Sequence, residues 1–395
     1  MSISDRVRRG IETGSWIRSM FEEGIRLKQQ YGADEVFDLS LGNPEMEPPA
    51  EFNRQLLQLA QHPVLGMHRY MPNAGYPEAR QAVAAQLSLD FGMKFAISDV
   101  VMTAGAAPAL NLALKAVLDP GDEVLIFAPY FGEYVNYVAN HDGVLRVIDT
   151  DDTFLPKLDD IEKAISARTR VVLLNSPNNP SGVVYDDDFL SRLGLLLQKK
   201  EAEYANRIYL ISDEAYRKII YDGMGYPSPL HHYRRCVIVQ SHSKDLALPG
   251  ERIGCLAVHP DMEQKEELIS AYVFCMRALG YVNAPALMQH IVKHLQNVSV
   301  DIGTYQRKRD FLYSRLNEMG YVVKKPAGAF YLFPRSPIDD DVAFTRQLQQ
   351  YMVLTAPGVS FGRPGYFRIA YCVDDKVLEG AMDGFKKAAS KFGLL

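Results

Sequence analysis

Residues 171–182 read VVLLNSPNNPSG, residues 208–216 read IYLISDEAY, and residues 237–244 read VIVQSHSK. Each is a short, nearly unbroken apolar run that gives way to polar residues. Apolar runs without alternation belong to strands covered on both faces, which predicts a parallel sheet between two layers of helices. Val124–Phe127, following the turn Asp119-Pro120-Gly121-Asp122, and Ile253–Val258 read the same way. Helical patterns lie between the runs. Leu110, Ala113, Leu114 and Val117 keep a 3.6-residue period. Asp188 is placed to cap a helix through Leu195–Leu197, and Asp261 with Gln264 has capping-box spacing ahead of Leu268, Ala271 and Val273. This alternation predicts an α/β fold: a large domain with a mostly parallel sheet sandwiched by helices.

The last third changes character. Tyr305, Leu312, Leu316 and Met319 share one helix face, and Gly320 supplies the stop. Tyr321–Lys324 and Ala329–Phe333 read as strands, Ala343–Tyr351 as a helix and Tyr366–Tyr371 as a strand, which together make a smaller α+β domain. The expected division is 46–289 for the large, ligand-binding domain, and 1–45 with 290–395 for the small domain and an N-terminal arm. The crossing falls along Ala284–Asp301.

Composition narrows the function. At roughly 100–200 residues per domain, 395 residues accommodate this division. With 47% hydrophobic and 23% charged residues, the chain is globular rather than disordered. Lys and Arg total 43 against 48 Asp and Glu, a net charge of -5, so binding to nucleic acid has no electrostatic support. No apolar run approaches the ~20 residues of a membrane span, and the opening MSISDRVRRGIETGS has no apolar signal core. A cytoplasmic protein without membrane partners is expected. Cys236, Cys255, Cys275 and Cys372 lie far apart with no C-x-x-C, which disfavours a metal knuckle, a redox pair and a disulfide framework. No metal is expected.

Some motifs are decoys. Gly358-Val359-Ser360-Phe361-Gly362 has nucleophile-elbow spacing, but all nine His precede Ser360 and that chemistry needs a base after it. A Gly-rich turn is the better reading. Asp213-Glu214 behind a strand would suit an NTPase, yet no Gly-Lys dipeptide exists for a phosphate loop. Asp186–Asp188 and Asp339–Asp341 read as helix starts, and His231, His232, Arg234 and Arg235 as surface.

Ligands of open parallel sheets bind beyond the carboxyl ends of the strands. Those ends carry Asn179, then Asp213 and Tyr216, then Ser241, Ser243 and Lys244, with Arg252 entering the next strand and Gly105-Ala106-Ala107 opening an upstream helix. A lysine beside hydroxyls and an arginine is a candidate amine nucleophile. Small residues at a helix start let backbone N–H groups meet phosphate, and Arg252 can grip two phosphate oxygens. Asp213 is placed to keep a pyridinium nitrogen protonated. A carbonyl cofactor with a phosphate tail would use every one of these parts.

These motifs, in this order from Ser40–Glu45 (SLGNPE) to the strand bearing Arg368, resemble the class I/II aminotransferases, pyridoxal-phosphate enzymes of fold type I (the aspartate aminotransferase superfamily). The resemblance spans nearly the whole chain and implies pyridoxal 5'-phosphate as cofactor. It makes Lys244 the lysine that bonds the cofactor and moves the substrate proton, where the bland alternative is a surface lysine. Asp213 becomes the pyridine-nitrogen partner rather than a helix cap. Tyr216 and Asn179 become partners of the phenolic oxygen, Asn179 also serving the turn before Pro180. Ser241, Arg252 and the N–H groups of Ala106 and Ala107 become phosphate ligands; the family often has a hydroxyl or lysine in the Gly105–Ala107 loop, and this sequence has neither. Phe131 stacks on the pyridine ring, with Tyr130 the alternative.

Tyr70, in RYMPNAGYPEAR, resembles a tyrosine reaching the phosphate across a homodimer interface, against a core or turn tyrosine. Arg368 resembles the arginine that grips the substrate α-carboxylate, against an internal ion pair, and Gly42 with Asn43 resemble the loop over the substrate. Arg277 and Arg18 are candidates for reading an acidic side chain. The implied reaction is transamination between an L-amino acid, aspartate or another common one, and a 2-oxo acid such as 2-oxoglutarate. A β-eliminating carbon–sulfur lyase and a non-catalytic, cofactor-binding regulatory protein are the alternatives.

Overall fold

The computed structural model describes residues 3–12 and 16–395. In chain order its strands are β1 (Phe37–Asp38), β2 (Val100–Thr103), β3 (Glu123–Ala128), β4 (Val144–Asp149), β5 (Thr169–Asn175), β6 (Tyr209–Asp213), β7 (Cys236–Ser241), β8 (Gly254–Val258), β9 (Tyr331–Leu332), β10 (Val353–Leu354), β11 (Ala356–Pro357) and β12 (Phe367–Ala370). Seven of them form one sheet in the order β2-β8-β7-β6-β5-β3-β4. All neighbours are parallel except β8, which runs antiparallel to both β2 and β7.

The unbroken apolar runs have a direct cause. Successive strand residues point to opposite faces, and here both faces are covered. Leu125, Phe127, Val172, Leu174, Leu210 and Ile238 enter one core, with Val83, Leu87, Leu193 and Leu197 of the helices Pro77–Phe91 and Asp187–Tyr204. Their neighbours Val124, Ile126, Val171, Leu173, Ile211 and Val237 enter the opposite core, under Leu110, Leu114, Tyr272 and Met276 of the helices Ala106–Val117 and Lys265–Ala278. Each fully buried aliphatic side chain contributes about 1.5–3 kcal/mol. A polar residue at any of these central positions would therefore oppose the sheet.

A second core gathers the C-terminal residues. Tyr305, Leu312 and Leu316 of helix Ile302–Glu318, Phe344 and Leu348 of helix Asp341–Gln350, and Leu378 and Phe385 of helix Asp375–Lys391 pack around Leu332 and Ile369. These residues surround the three-stranded antiparallel sheet β11-β12-β9, and β1 pairs in parallel with β10. Leu295 lies in the first core and Val300 in the second, so the chain passes between cores within the predicted 284–301 stretch. We propose the two-domain division 46–289 and 1–45 with 290–395 on this pattern. Among the described residues no helix is long and apolar enough to cross a membrane.

Several local expectations are corrected. The helix Asp187–Tyr204 is capped by Asp186, whose carboxylate accepts from the Phe189 N–H at 2.8 Å; Asp188 sits in the first turn. The capping box at Asp261 and Gln264 does not form, because Gln264 is left-handed (φ 60°) and the Asp261 N–H donates to His259 Nδ1 instead. Tyr321–Lys324 is not a strand. Tyr321 is buried with its hydroxyl on the Phe385 carbonyl, Val322 is exposed, and no neighbouring strand pairs with the segment. The strand β4 was not anticipated: it is a sheet edge, and only Ile148 along it is fully buried.

Candidate functional site

The strand directions bring the polar segments to one end. β3, β5, β6 and β7 deliver Phe131, Asn179, Tyr216 and Lys244 beyond their carboxyl ends, and β2 delivers Gly105–Ala107 to the same end because both it and β7 oppose β8. Arg252 is there because it precedes β8, which runs the other way. A cavity of about 300 Å³ opens at this end, lined by Gly42, Ala106, Ala107, Phe131, Asn179, Asp213, Tyr216, Ser241, Lys244, Arg252 and Arg368, among others. Residues separated by more than 300 positions in the chain thus share one wall.

Lys244 projects from the short helical turn His242–Asp245 at the end of β7. Its Nζ donates to the Gly42 carbonyl at 2.6 Å and lies 5.4 Å from the centre of the Phe330 ring. Burial disfavours the ammonium, and the cations Arg368 and Arg252 add to that. Cys372 opposes them, and the net result brings the amine down to about 8. An amine so placed is free as a nucleophile in about a tenth of molecules at pH 7, far more often than an ordinary lysine.

Asp213 closes β6. Burial pushes its carboxyl up to about 6, while the Tyr134 hydroxyl, donating to Oδ2 at 2.7 Å, and the Ala215 N–H pull the other way. Tyr216 Oη meets Tyr331 Oη at 2.8 Å, and burial holds the Tyr216 phenol far above its ordinary range, so it stays a neutral hydrogen-bonding group. Arg368 is almost fully buried. Its guanidinium sits between the rings of Tyr331 and Phe361, 4.6 and 4.7 Å from their centres, and donates to Asn179 Oδ1 at 3.0 Å and to the Ser40 carbonyl at 2.6 Å. Its Nε is buried without a partner. A buried cation in this state is suited to a carboxylate ligand.

At the other end of the cavity three backbones converge. Gly254 lies opposite Thr103 on one side and Ser241 on the other. A side chain on Gly254 would come within 2.4 Å of the Gln240 carbonyl, and one on Gly105 (φ 96°) within 2.8 Å of the Arg252 guanidinium. The glycines therefore leave a cradle rimmed by Ser241, Arg252 and the start of helix Ala106–Val117, where free N–H groups and the helix dipole favour an anion. Arg252 itself adopts a left-handed backbone (φ 52°), steadied by its bond to the Pro249 carbonyl at 3.0 Å. Non-glycine residues occupy that region at a cost that function commonly explains. A depressed amine, a buried carboxyl in the same cavity, an anion cradle and an under-satisfied arginine fit pyridoxal 5'-phosphate and an amino acid together.

Not every candidate reaches the cavity of its own chain. Tyr70 is 90% exposed. Asn43 does not line the cavity, although its neighbour Gly42 does. Arg277 is exposed in the last turn of helix Lys265–Ala278, because that helix turns Tyr272 and Met276 toward the sheet. The Arg18 side chain lies outside the described residues. Of the aromatic pair, Phe131 lines the cavity, whereas Tyr130 turns away and stands against Gly362. Sequence reasoning did not find Tyr134, Tyr137, Asn175 or Tyr331. The only available signal for Tyr134 is general: a buried tyrosine needs a partner for its hydroxyl, and the pairing with Asp213 spans 79 residues.

Known proteins similar to this chain place it in a family. A probable aspartate aminotransferase of Methanocaldococcus jannaschii is 32% identical over 364 residues, covering 89% of this chain and 93% of the relative. An aromatic-amino-acid aminotransferase 2 of Thermococcus litoralis is 30% identical, covering 98% of each chain. The crystal structure of an aminotransferase from Eubacterium rectale superposes with a TM-score of 0.95 at 37% identity, covering 99% of both chains. Residues 34–385 match the family model "Aminotransferase class I and II", and the chain belongs to that family, as a fold type I aminotransferase whose cofactor is pyridoxal 5'-phosphate.

Proposed function

We propose that this aminotransferase moves the amino group of an acidic L-amino acid, aspartate first, to 2-oxoglutarate, in a cytoplasmic homodimer whose copies share their active sites. The observation that carries the reading is the pairing, in one cavity, of the buried Lys244 amine with Arg368, whose Nε has no partner. The names of relatives such as the aspartate aminotransferase of Thermotoga maritima support the donor. When bound, the cofactor supplies an aldehyde for the amino group and a ring that takes up electron density from the substrate Cα.

The chain's own residues do the rest. Arg368 holds the substrate α-carboxylate through its planar fork and so fixes which bond at Cα stands across the cavity. Lys244 Nζ, as a free amine, would take the proton from the substrate Cα and give it up to the carbon on the far side of the amino nitrogen, and a base near neutrality suits that exchange. Asp213 would hold a proton on the ring nitrogen. Tyr216 and Asn179 would hydrogen-bond the phenolic oxygen, Phe131 would cover the ring face, and Ser241, Arg252 and the Ala106 and Ala107 N–H groups would hold the phosphate.

An acidic donor also needs a cation for its distal carboxylate. Among the described residues, the cations lining the cavity are Lys244, Arg252 and Arg368, each with another task. Arg277, exposed on its own chain, is therefore proposed to act in the cavity of the second copy, as Tyr70 is for the phosphate. A donor panel on the purified enzyme with 2-oxoglutarate tests this reading. Aspartate is expected to lead the panel, and Arg277→Ala to cut turnover of aspartate far more than that of a neutral donor. Equal losses would remove Arg277 from the site, and release of pyruvate and ammonia from a cysteine conjugate in place of transfer would favour the lyase.

A further inference from the structure

The turn that presents Lys244 is held from beneath by a buried network with no part in the site described above. Asp245, the residue after Lys244, is 6% exposed. Its carboxylate meets His242 Nδ1 at 3.2 and 3.3 Å within the same turn, and Lys218 Nζ at 3.2 Å from the segment after β6. Lys218 also donates to the carbonyls of Gln296 and Val298, at 2.7 and 3.2 Å. The Asp245 carbonyl accepts from the Val300 N–H at 2.7 Å, and Gln296 Nε2 stands 3.4 Å from His242 Nε2. Residues 296–300 are the stretch where the chain leaves the first core for the second.

We propose that Asp245 is a positioning residue for Lys244: gripped by Lys218 and His242, it fixes the turn that aims the amine and ties that turn to the joint between the two cores. Three features support it. The turn is only four residues long, so its own backbone bonds are too few to fix it. A nucleation-length turn is unstable without outside contacts. Besides His242 within the turn, the contacts come from two separated segments, at residues 218 and 296–300, and they converge on the residue next to Lys244. Burial would ordinarily raise the Asp245 carboxyl, but His242 and Lys218 overcome it and hold the group down to about 2. It is therefore a permanent anion at working pH. The remaining charges nearby are paired separately: Arg217 is 2.8 Å from Asp90, and Glu214 accepts from Gln240 at 2.9 Å.

The inference rests on Lys244 being the cofactor-bonding lysine, and the test separates the two. Wild type, Asp245→Asn, Asp245→Ala and Lys218→Met are purified as holoenzymes. Four quantities are compared: kcat, KM, the pH midpoint of the visible band of the bound cofactor, and the rate at which each apoprotein recaptures added pyridoxal 5'-phosphate. A misaimed amine is expected to lower kcat and the recapture rate about tenfold or more in Asp245→Ala, with KM little changed and the band midpoint displaced. Asp245→Asn, which keeps an acceptor for Lys218, should recover part of the loss. Lys218→Met should reproduce it in a protein that keeps the carboxylate, and carries the test if Asp245→Ala does not fold. Variants that lose only melting temperature, with band midpoint and recapture unchanged, would overturn the proposal. A wild-type protein with no visible band would instead overturn the assignment of Lys244.

Discussion

At the scale of the residue, protonation decides what the cavity can do. An ordinary lysine has a value of 10.5, whereas Lys244 is brought to about 8, chiefly by burial. The rate at which apoprotein captures pyridoxal 5'-phosphate should therefore rise with pH to a midpoint near 8, and stopped-flow absorbance across pH 6–11 reads it directly. The same shift has a sign for stability. Between pH 8 and 10.5 the unfolded chain binds the proton that the folded apoprotein has released, so stability rises with pH through that window and the full penalty applies below it. At 1.36 kcal/mol per unit the penalty is about 3 kcal/mol. Lys244→Met should thus stabilise the apoprotein at pH 7 by roughly that amount, with the advantage fading toward pH 10.5, as urea unfolding at several pH values would show. Asp213 works in the opposite sense. Its value is raised from 3.8 to about 6 by burial, so its contribution is present below pH 4 and lost as pH rises through 6.

Tyr134 belongs to this scale as well. Its hydroxyl donates the 2.7 Å bond to Asp213 and is itself completely buried. Tyr134→Phe removes a hydrogen bond to a charged group, worth about 1.5–3 kcal/mol. The variant should hold the cofactor about tenfold or more weakly and retain less activity, and a cofactor titration followed by absorbance measures both the affinity and the band.

At the scale of the element, legibility followed burial. β3, β5, β6, β7 and β8 were readable because both faces of each are covered, so their central positions form unbroken apolar runs. β4 was not, because one side of a sheet edge meets solvent and its sequence shows no sustained run. Tyr321–Lys324 failed in the opposite way: a buried tyrosine and a valine look like a strand, but pairing is decided by a neighbour that the local sequence does not contain. The site followed a similar rule. Lys244, Asp213, Arg252 and Arg368 sit in motifs adjacent to strand ends. The Tyr134–Asp213, Tyr216–Tyr331 and Lys244–Gly42 contacts join segments 79, 115 and 202 residues apart, and no short motif encodes them. Gly42 illustrates an element-scale constraint. A methyl group there would fall 1.8 Å from Tyr331 Oη, so Gly42→Ala must push aside the loop that receives the Lys244 hydrogen bond or the tyrosine that bonds Tyr216. The variant is expected to raise KM for the amino donor and lower kcat together, which steady-state kinetics would reveal; unchanged constants would show that the loop yields freely.

At the scale of the whole molecule, the cavity lies where the two cores meet: Lys244 and Asp213 come from the sheet of the first, while Tyr331 and Arg368 come from β9 and β12 of the second. Leu65 and Tyr70, at 96% and 90% exposure, stand on a segment that a second copy is proposed to cover. If so, Tyr70→Phe should weaken the cofactor about tenfold, or ~1.4 kcal/mol, while light scattering still reports a dimer. The central claim is that one buried amine, Lys244, bonds the cofactor. Borohydride reduction of the loaded enzyme followed by peptide mass mapping tests it most directly. The account predicts a single stable cofactor adduct on the peptide carrying Lys244, and an adduct on another lysine, or none at all, would contradict it.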